Sequence, residues 1–156
     1  MDSAPTRRTA LSATLHCLTG CAIGEILGLI IGEARGWPNV QTIALSIVLA
    51  FVFGYALSLL PLVRAGIALG AALGLVLAAD TLSILTMEVV DNAVMASVPG
   101  AMEAGLANPV FWLSLPLALG AAFVAAFPVN LYLLRRGKGH ALIHRSHNHD
   151  NHHNQH

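Results

Sequence analysis

Charge is scarce in this sequence. Only 10% of its 156 residues are Asp, Glu, Lys or Arg, against about a quarter in an ordinary soluble domain. So few charges cannot cover a water-facing surface. The formal net charge is zero with histidine neutral, which removes the basic surface expected of a nucleic-acid partner. Cysteine is scarcer still: Cys17 and Cys21 both lie in the first apolar stretch, too few and wrongly placed for a secreted disulfide framework. The chain has no phosphate-cradling loop, dinucleotide fingerprint, zinc-protease helix or Ser-His-Asp order, so no motif supports nucleotide use or soluble-type catalysis.

What is present is long apolar runs. A membrane-spanning helix needs roughly 20 mainly apolar residues, and four stretches qualify: about 9–32, 40–60, 65–95 and 109–134. Pro61 ends the second, and Asn108-Pro109 opens the fourth as an N-cap followed by proline at the first helical position. The fold class is all-α, a membrane-spanning four-helix bundle over 9–136, preceded by a short terminus, 1–8. With an even number of spans, Arg7, Arg8, Arg64, Arg135, Arg136, Lys138 and Arg145 fall on one side and Arg35 alone on the other. The positive-inside rule then puts both termini in the cytoplasm and Trp37 and Trp112 near the outer interface. Arg7-Arg8 followed by Leu18-Thr19-Gly20-Cys21 also resembles a lipoprotein signal, but the apolar run continues past Cys21 to Ile31.

Packing signals are of two kinds. Gly20, Gly24, Gly28 and Gly32 recur every four residues on the first span, and Gly66, Gly70 and Gly74 do so on the third. Small residues at this spacing let helix backbones approach closely in lipid. Contact between spans one and three is the preferred use, with homodimerisation through one ladder the rival. The second span has no ionisable residue and reads as lipid-facing scaffold. Pro116 and Pro128 interrupt the fourth and predict kinks.

Polar groups inside hydrocarbon are the default candidates for function. At about 100° per residue, Cys17, Cys21 and Glu25 share an arc of roughly 80°, with His16 to one side. On the third span Asp80, Met87 and Asp91 share an arc of roughly 40°, bordered by Glu88 and Met95. At about 1.5 Å per residue, Glu25 and Asp80 both lie roughly 20 Å from the cytoplasmic ends and are expected to face each other. Thiolate and thioether suit Cu(I), imidazole suits copper, zinc and nickel, and carboxylates take harder ions. These residues form a ladder of candidate metal ligands. The plain alternative is that the cysteines and methionines are packing groups and the acids are protonated and hydrogen-bonded.

From 137 the composition changes. His140, His144, His147, His149, His152, His153 and His156 stand among Asn, Ser and Asp150. The segment 137–156 cannot build a core and is expected to be disordered. Such a tract can hold copper, zinc or nickel, or titrate near neutral pH, or be a solvated tail.

Several strings carry a resemblance: Thr14 to Glu25, Ala79 to Ser83, Met87 to Met95, Pro99 to Met102, Phe127-Pro-Val-Asn130 and Arg136-Gly-Lys-Gly-His140. Together they resemble a bacterial integral-membrane family known only as domain of unknown function 4396. The resemblance implies a bacterial inner (cytoplasmic) membrane and brings no activity with it. Function must come from the residues. The first expectation is a small protein that binds or transports a soft metal, copper above all, with His16, Cys17 and Cys21 as inner ligands. Glu25 and Asp80 would form the midplane relay, and Met87, Glu88, Asp91 and Met95 the outer mouth. An assembly subunit without chemistry of its own is the alternative, and a thiol oxidoreductase using Cys17 and Cys21 a further one. The i, i+4 spacing argues against the last, since redox pairs are usually Cys-x-x-Cys. The expected partners are the lipid bilayer and, because four spans are few for a transporter, a homo-oligomer or a larger membrane complex.

Overall fold

The computed structural model describes the backbone of residues 4–152 and the side chains of residues 7–136. Four helices make the architecture: α1 (Ala4–Arg35), α2 (Asn39–Arg64), α3 (Leu69–Ser97) and α4 (Pro109–His152). Each contains a stretch long and apolar enough to cross a membrane: Arg7–Arg35, Asn39–Arg64, Leu69–Ser97 and Pro109–Arg136. The expected bundle of four spans is therefore present. Helical backbone continues beyond the expected close of α4 at Leu134. It runs to His152, where the sequence predicts a disordered tail from 137; the side chains of 137–156 lie outside the described residues, and with them the expectation of metal held by His144, His147, His149, His152 and His153.

The chain turns sharply at glycine. Gly36 has φ +63° and Gly66 φ +86°, left-handed values that cost glycine little. At the first turn Trp37 N–H reaches Gly32 O (2.9 Å) and Gly36 N–H reaches Glu33 O (3.1 Å). At the second, Ile67 N–H reaches Leu62 O (3.2 Å) and Gly66 N–H reaches Val63 O (3.1 Å). Both are the paired bonds of a Schellman cap. Gly66 thus ends α2 and is not a rung of a ladder on α3, and the third helix begins a turn later than the expected 65. Pro61 does not end α2 either. It lacks an N–H, but its carbonyl accepts from Ala65 N–H (3.0 Å), so the last turn closes around it. Asn108 caps α4 as expected, its Oδ1 accepting from Val110 N–H at 3.0 Å. Pro116 and Pro128 lie within a helix that runs on past both.

Short connections at 36–38 and 65–68 and a longer one at 98–108 make successive helices antiparallel. α1 packs most closely along α2 and α3 along α4, while α1 and α3 meet across the axis and α2 and α4 do not touch. The glycine ladder decides the first pairing. A Cβ on Gly20 or Gly24 would fall on the backbone of Gly54 or Ala50, and one on Gly28 or Gly32 on Ser46 or Thr42. The buried residues of α2 are those four, Thr42, Ser46, Ala50 and Gly54, a matching stride of small residues. The expected glycine contact of spans one and three is corrected: the first ladder seats α2, which is a partner and not scaffold. Gly70 and Gly74 on α3 have nothing within 4 Å of a Cβ.

Interior and exterior are inverted relative to a soluble bundle. The core mixes small residues (Ala10, Ala50, Ala118, Ala122, Ala126) and a few large apolar ones (Ile84, Met87, Phe111, Leu115) with the polar Thr14, Ser83, Asp80, Glu88, Asp91 and Asn130. Large aliphatics such as Val40, Leu113, Leu117 and Val124 stand outward. Water would not tolerate so much exposed apolar surface on a monomer, whereas lipid favours it. Interior hydrogen bonds then tie the helices. Asn130 Nδ2–H donates to Thr14 Oγ1 (2.8 Å) between α4 and α1, and Thr14 donates on to Ala10 O (2.7 Å).

Candidate functional site

The two ends of the bundle differ. At the arginine-bearing end the four helices surround a cavity of about 500 Å³, whose polar lining is Thr9, Ser12, His16, Ser58, Asp80 and Asn130. At the opposite end a cavity of about 60 Å³ also touches all four helices and reaches Glu25, Glu88, Asn92 and Met95. Between them the axis closes on a waist of fully buried side chains, chiefly Cys17, Cys21, Ile84 and Met87. The outline is an hourglass on the bundle axis.

The polar side chains of the axis fall into two tiers. In the lower one, Cys17 Sγ lies 3.8 Å from Ser58 Oγ, and Ser58 also hydrogen-bonds Asp80. Asp80 is 7% exposed, and its Oδ2, like Ser83 Oγ, has no hydrogen-bond partner. In the upper tier Cys21 Sγ–H points at Met87 Sδ, 4.0 Å away, and the Glu88 carboxyl lies close by. One turn further, Glu25 of α1 faces Asp91 of α3, and Glu88 adds a third carboxyl. Ser46 of α2 donates to Glu25 O (3.4 Å).

The sequence places α3's face correctly, since Asp80, Met87, Glu88, Asp91 and Met95 are all buried. Cys17 and Cys21 are buried and free, and Glu25 is half-buried beside them. The expected pairing of Glu25 with Asp80 is not what the helices make. Because α3 starts at Leu69, Asp80 sits lower than a count from 65 puts it and meets the level of Cys17. Glu25 meets Asp91 instead. His16 is exposed, its Nδ1 turned back to Ser12 O at 2.6 Å; it lines the wide cavity and does not join the sulfurs. Met95 packs with Ala101 and Phe111 at the far end. Among the described residues no three His, Cys, Asp or Glu side chains converge as a metal-holding group.

Four residues of the site were not singled out in the sequence. Ser58, Ser83, Asn130 and Ser46 are lone polar groups in apolar runs, and their spacing relative to small neighbours was the one available signal. Glu33 was also passed over. Its Oε1 accepts from Leu106 N–H (2.8 Å), pinning α1 to the 98–108 connection, and Leu106 O in turn accepts from Trp112 Nε1–H (2.7 Å).

No curated protein and no solved structure matches the chain. A family model does, described as Domain of unknown function (DUF4396), over residues 6–139. That stretch holds all four spans, both cavities and the sulfur waist, and nothing in the match points to catalysis. The chain is a multi-pass membrane protein by its four candidate spans, and it belongs to this family of unknown function.

Proposed function

We propose that this protein carries a soft monovalent metal ion, Cu(I), across the membrane through the waist between α1 and α3. The observation that carries the reading is the juxtaposition of Cys21 and Met87, sulfur to sulfur, with Cys17 one turn below in the same buried cluster. Thiolate and thioether donors are those Cu(I) prefers. The arrangement fits zinc or nickel poorly. A tetrahedral zinc site takes four donors of the Cys, His and carboxylate kinds, and no three of these converge among the described residues.

The cavities support passage as well as binding. The wide one brings water to the level of Asp80 and Cys17, and the narrow one leads from Glu25 and Glu88 to the other end. By the positive-inside rule the wide mouth faces the cytoplasm. Asp80, with a buried and unpaired oxygen, attracts a cation toward the sulfurs. Exposed Gly70 and Gly74 leave a smooth strip on α3 on which a second copy or a larger complex would seat.

The test is Cu(I) binding to the detergent-purified full-length chain, and Cu(I) uptake into proteoliposomes, for the wild type, Cys17→Ser/Cys21→Ser and Met87→Leu. Tail histidines are common to all three, so the differences read the waist. Stoichiometric Cu(I) should be lost in the double serine variant and held more weakly without Met87. Equal binding and equal uptake in all three would overturn the reading.

A further inference from the structure

Three carboxyl groups stand together in the loop-end half of the bundle with no cation beside them. Glu25 lies on α1 and Asp91 on α3, each one turn beyond the Cys21–Met87 contact, with Glu88 beside them. The titratable groups that face Glu25 are these two acids and, one turn along its own helix, Cys21. α2 lines this region with Asn39, Thr42, Ile43, Ser46 and Ile47, none of them titratable. α4 presents Phe111. No Lys, Arg or His of the described residues reaches it.

Two ionised carboxylates have no hydrogen to share and cannot bond each other. With no cation beside them, Glu25 and Asp91 can bond each other only through a proton that one of them carries. Carboxyl groups held this close do not both ionise, and they titrate as a pair. A pair built solely to tie two helices would satisfy all its oxygens. Here Asp91, 5% exposed, keeps Oδ1 buried and without a partner inside the cluster. It is an acceptor waiting for a second hydrogen. A hard metal cation is the poorer occupant, because the three acids do not converge as a ligand group. The route is visible too: Glu25 and Glu88 line the 60 Å³ cavity at the loop end, so water there can exchange with the pair.

We propose that Glu25 and Asp91 form a proton-binding pair that exchanges protons with the loop end of the bundle through this cavity. The ligand is the hydrogen ion, and the proposal does not depend on any metal reaching Cys17 and Cys21.

Infrared spectroscopy of the full-length protein in proteoliposomes tests this directly. The wild type should show the carbonyl stretch of protonated carboxyl groups near neutral pH, and the band should shift on transfer to D₂O. Glu25→Gln, which keeps the shape of the protonated acid, should lose that intensity, and Asp91→Asn should do the same. Glu33→Gln, an acid outside the cluster, should leave it intact. Met102→Trp, which fills the cavity mouth, should slow the D₂O shift without removing the band. A missing wild-type band, a band unchanged in both Glu25→Gln and Asp91→Asn, or a shift unaffected by Met102→Trp would overturn the proposal. Detergent elution profiles identify any variant that fails to fold, and the remaining one of the pair then decides.

Discussion

Gly24 and Gly32 occupy the same ladder, yet the structure separates them by what a methyl group would strike. A Cβ on Gly24 meets the backbone of Leu49 and Ala50, while one on Gly32 meets the side chain of Thr42. Gly24→Ala therefore has no side chain to push aside, and the two helices must part. Overpacking of a tight interface costs about 1–3 kcal/mol, offset by about 1 kcal/mol at most from alanine's better helix propensity. With the full offset the expected net is a destabilisation of up to about 2 kcal/mol. Gly74→Ala on α3, where a Cβ meets nothing, should be neutral or stabilising. The decisive comparison is rescue. Thr42→Gly should restore most of the stability lost in Gly32→Ala, with a coupling of about 0.5–3 kcal/mol in a double-mutant cycle. Ala50→Gly should fail to rescue Gly24→Ala, because the obstacle is main chain. Unfolding in mixed micelles, followed by the fluorescence of Trp37 and Trp112, measures the wild type and every variant. If Gly74→Ala is as damaging as Gly24→Ala, or Ala50→Gly rescues fully, the close approach of α1 and α2 is wrong.

Other expectations follow from single contacts. Thr14→Val removes the acceptor of Asn130 in a buried setting and should cost about 1 kcal/mol, in line with interhelical bonds in membranes, measured by the same unfolding assay. Glu33→Ala frees the Leu106 N–H, so hydrogen exchange at Leu106 should accelerate while that of α2 stays unchanged; unchanged exchange at Leu106 would show that the pin is not formed. Cys17, beside the cavity-lining Ser58 and Asp80, should react with a small water-soluble thiosulfonate before Cys21, which is sealed above it. Mass spectrometry of the labelled peptides gives the order, and reaction at Cys21 first would place the opening at the other end. Asn108→Ala removes the cap of α4 and should cost about 1 kcal/mol.

How much of this was legible in the sequence depends on the scale of the signal. A run of some 20 apolar residues has few alternatives to a spanning helix, and the four spans are where the hydropathy puts them. Helix faces were legible for the same reason: the burial of Asp80, Met87, Glu88 and Asp91 follows from the helical angle alone. Partners were not. A ladder of glycines states that something approaches closely and is silent on what, and Gly66 shared the four-residue stride while serving as a cap. α2's matching row of Thr42, Ser46, Ala50 and Gly54 holds no charge, so a search for ionisable groups passed it by. One error in a start position then moved Asp80 by a turn and paired it with the wrong acid. Lone hydroxyls such as Ser58 and Ser83 were invisible because a serine in a membrane helix can always bond its own backbone.

The hairpin of α1 and α2 is fastened along its length by residues too small to slide, and α3 pairs instead with α4. The two hairpins behave as the jaws of a clamp whose line of closure is the bundle axis. Cys21 belongs to one jaw and Met87 to the other, with Glu33 and Leu106 fastening them at the narrow end. Any tilt that narrows the wide mouth must alter the gap between those two sulfurs. The sulfur contact is thus a gauge of the clamp's angle, and whatever settles between the sulfurs sets that angle.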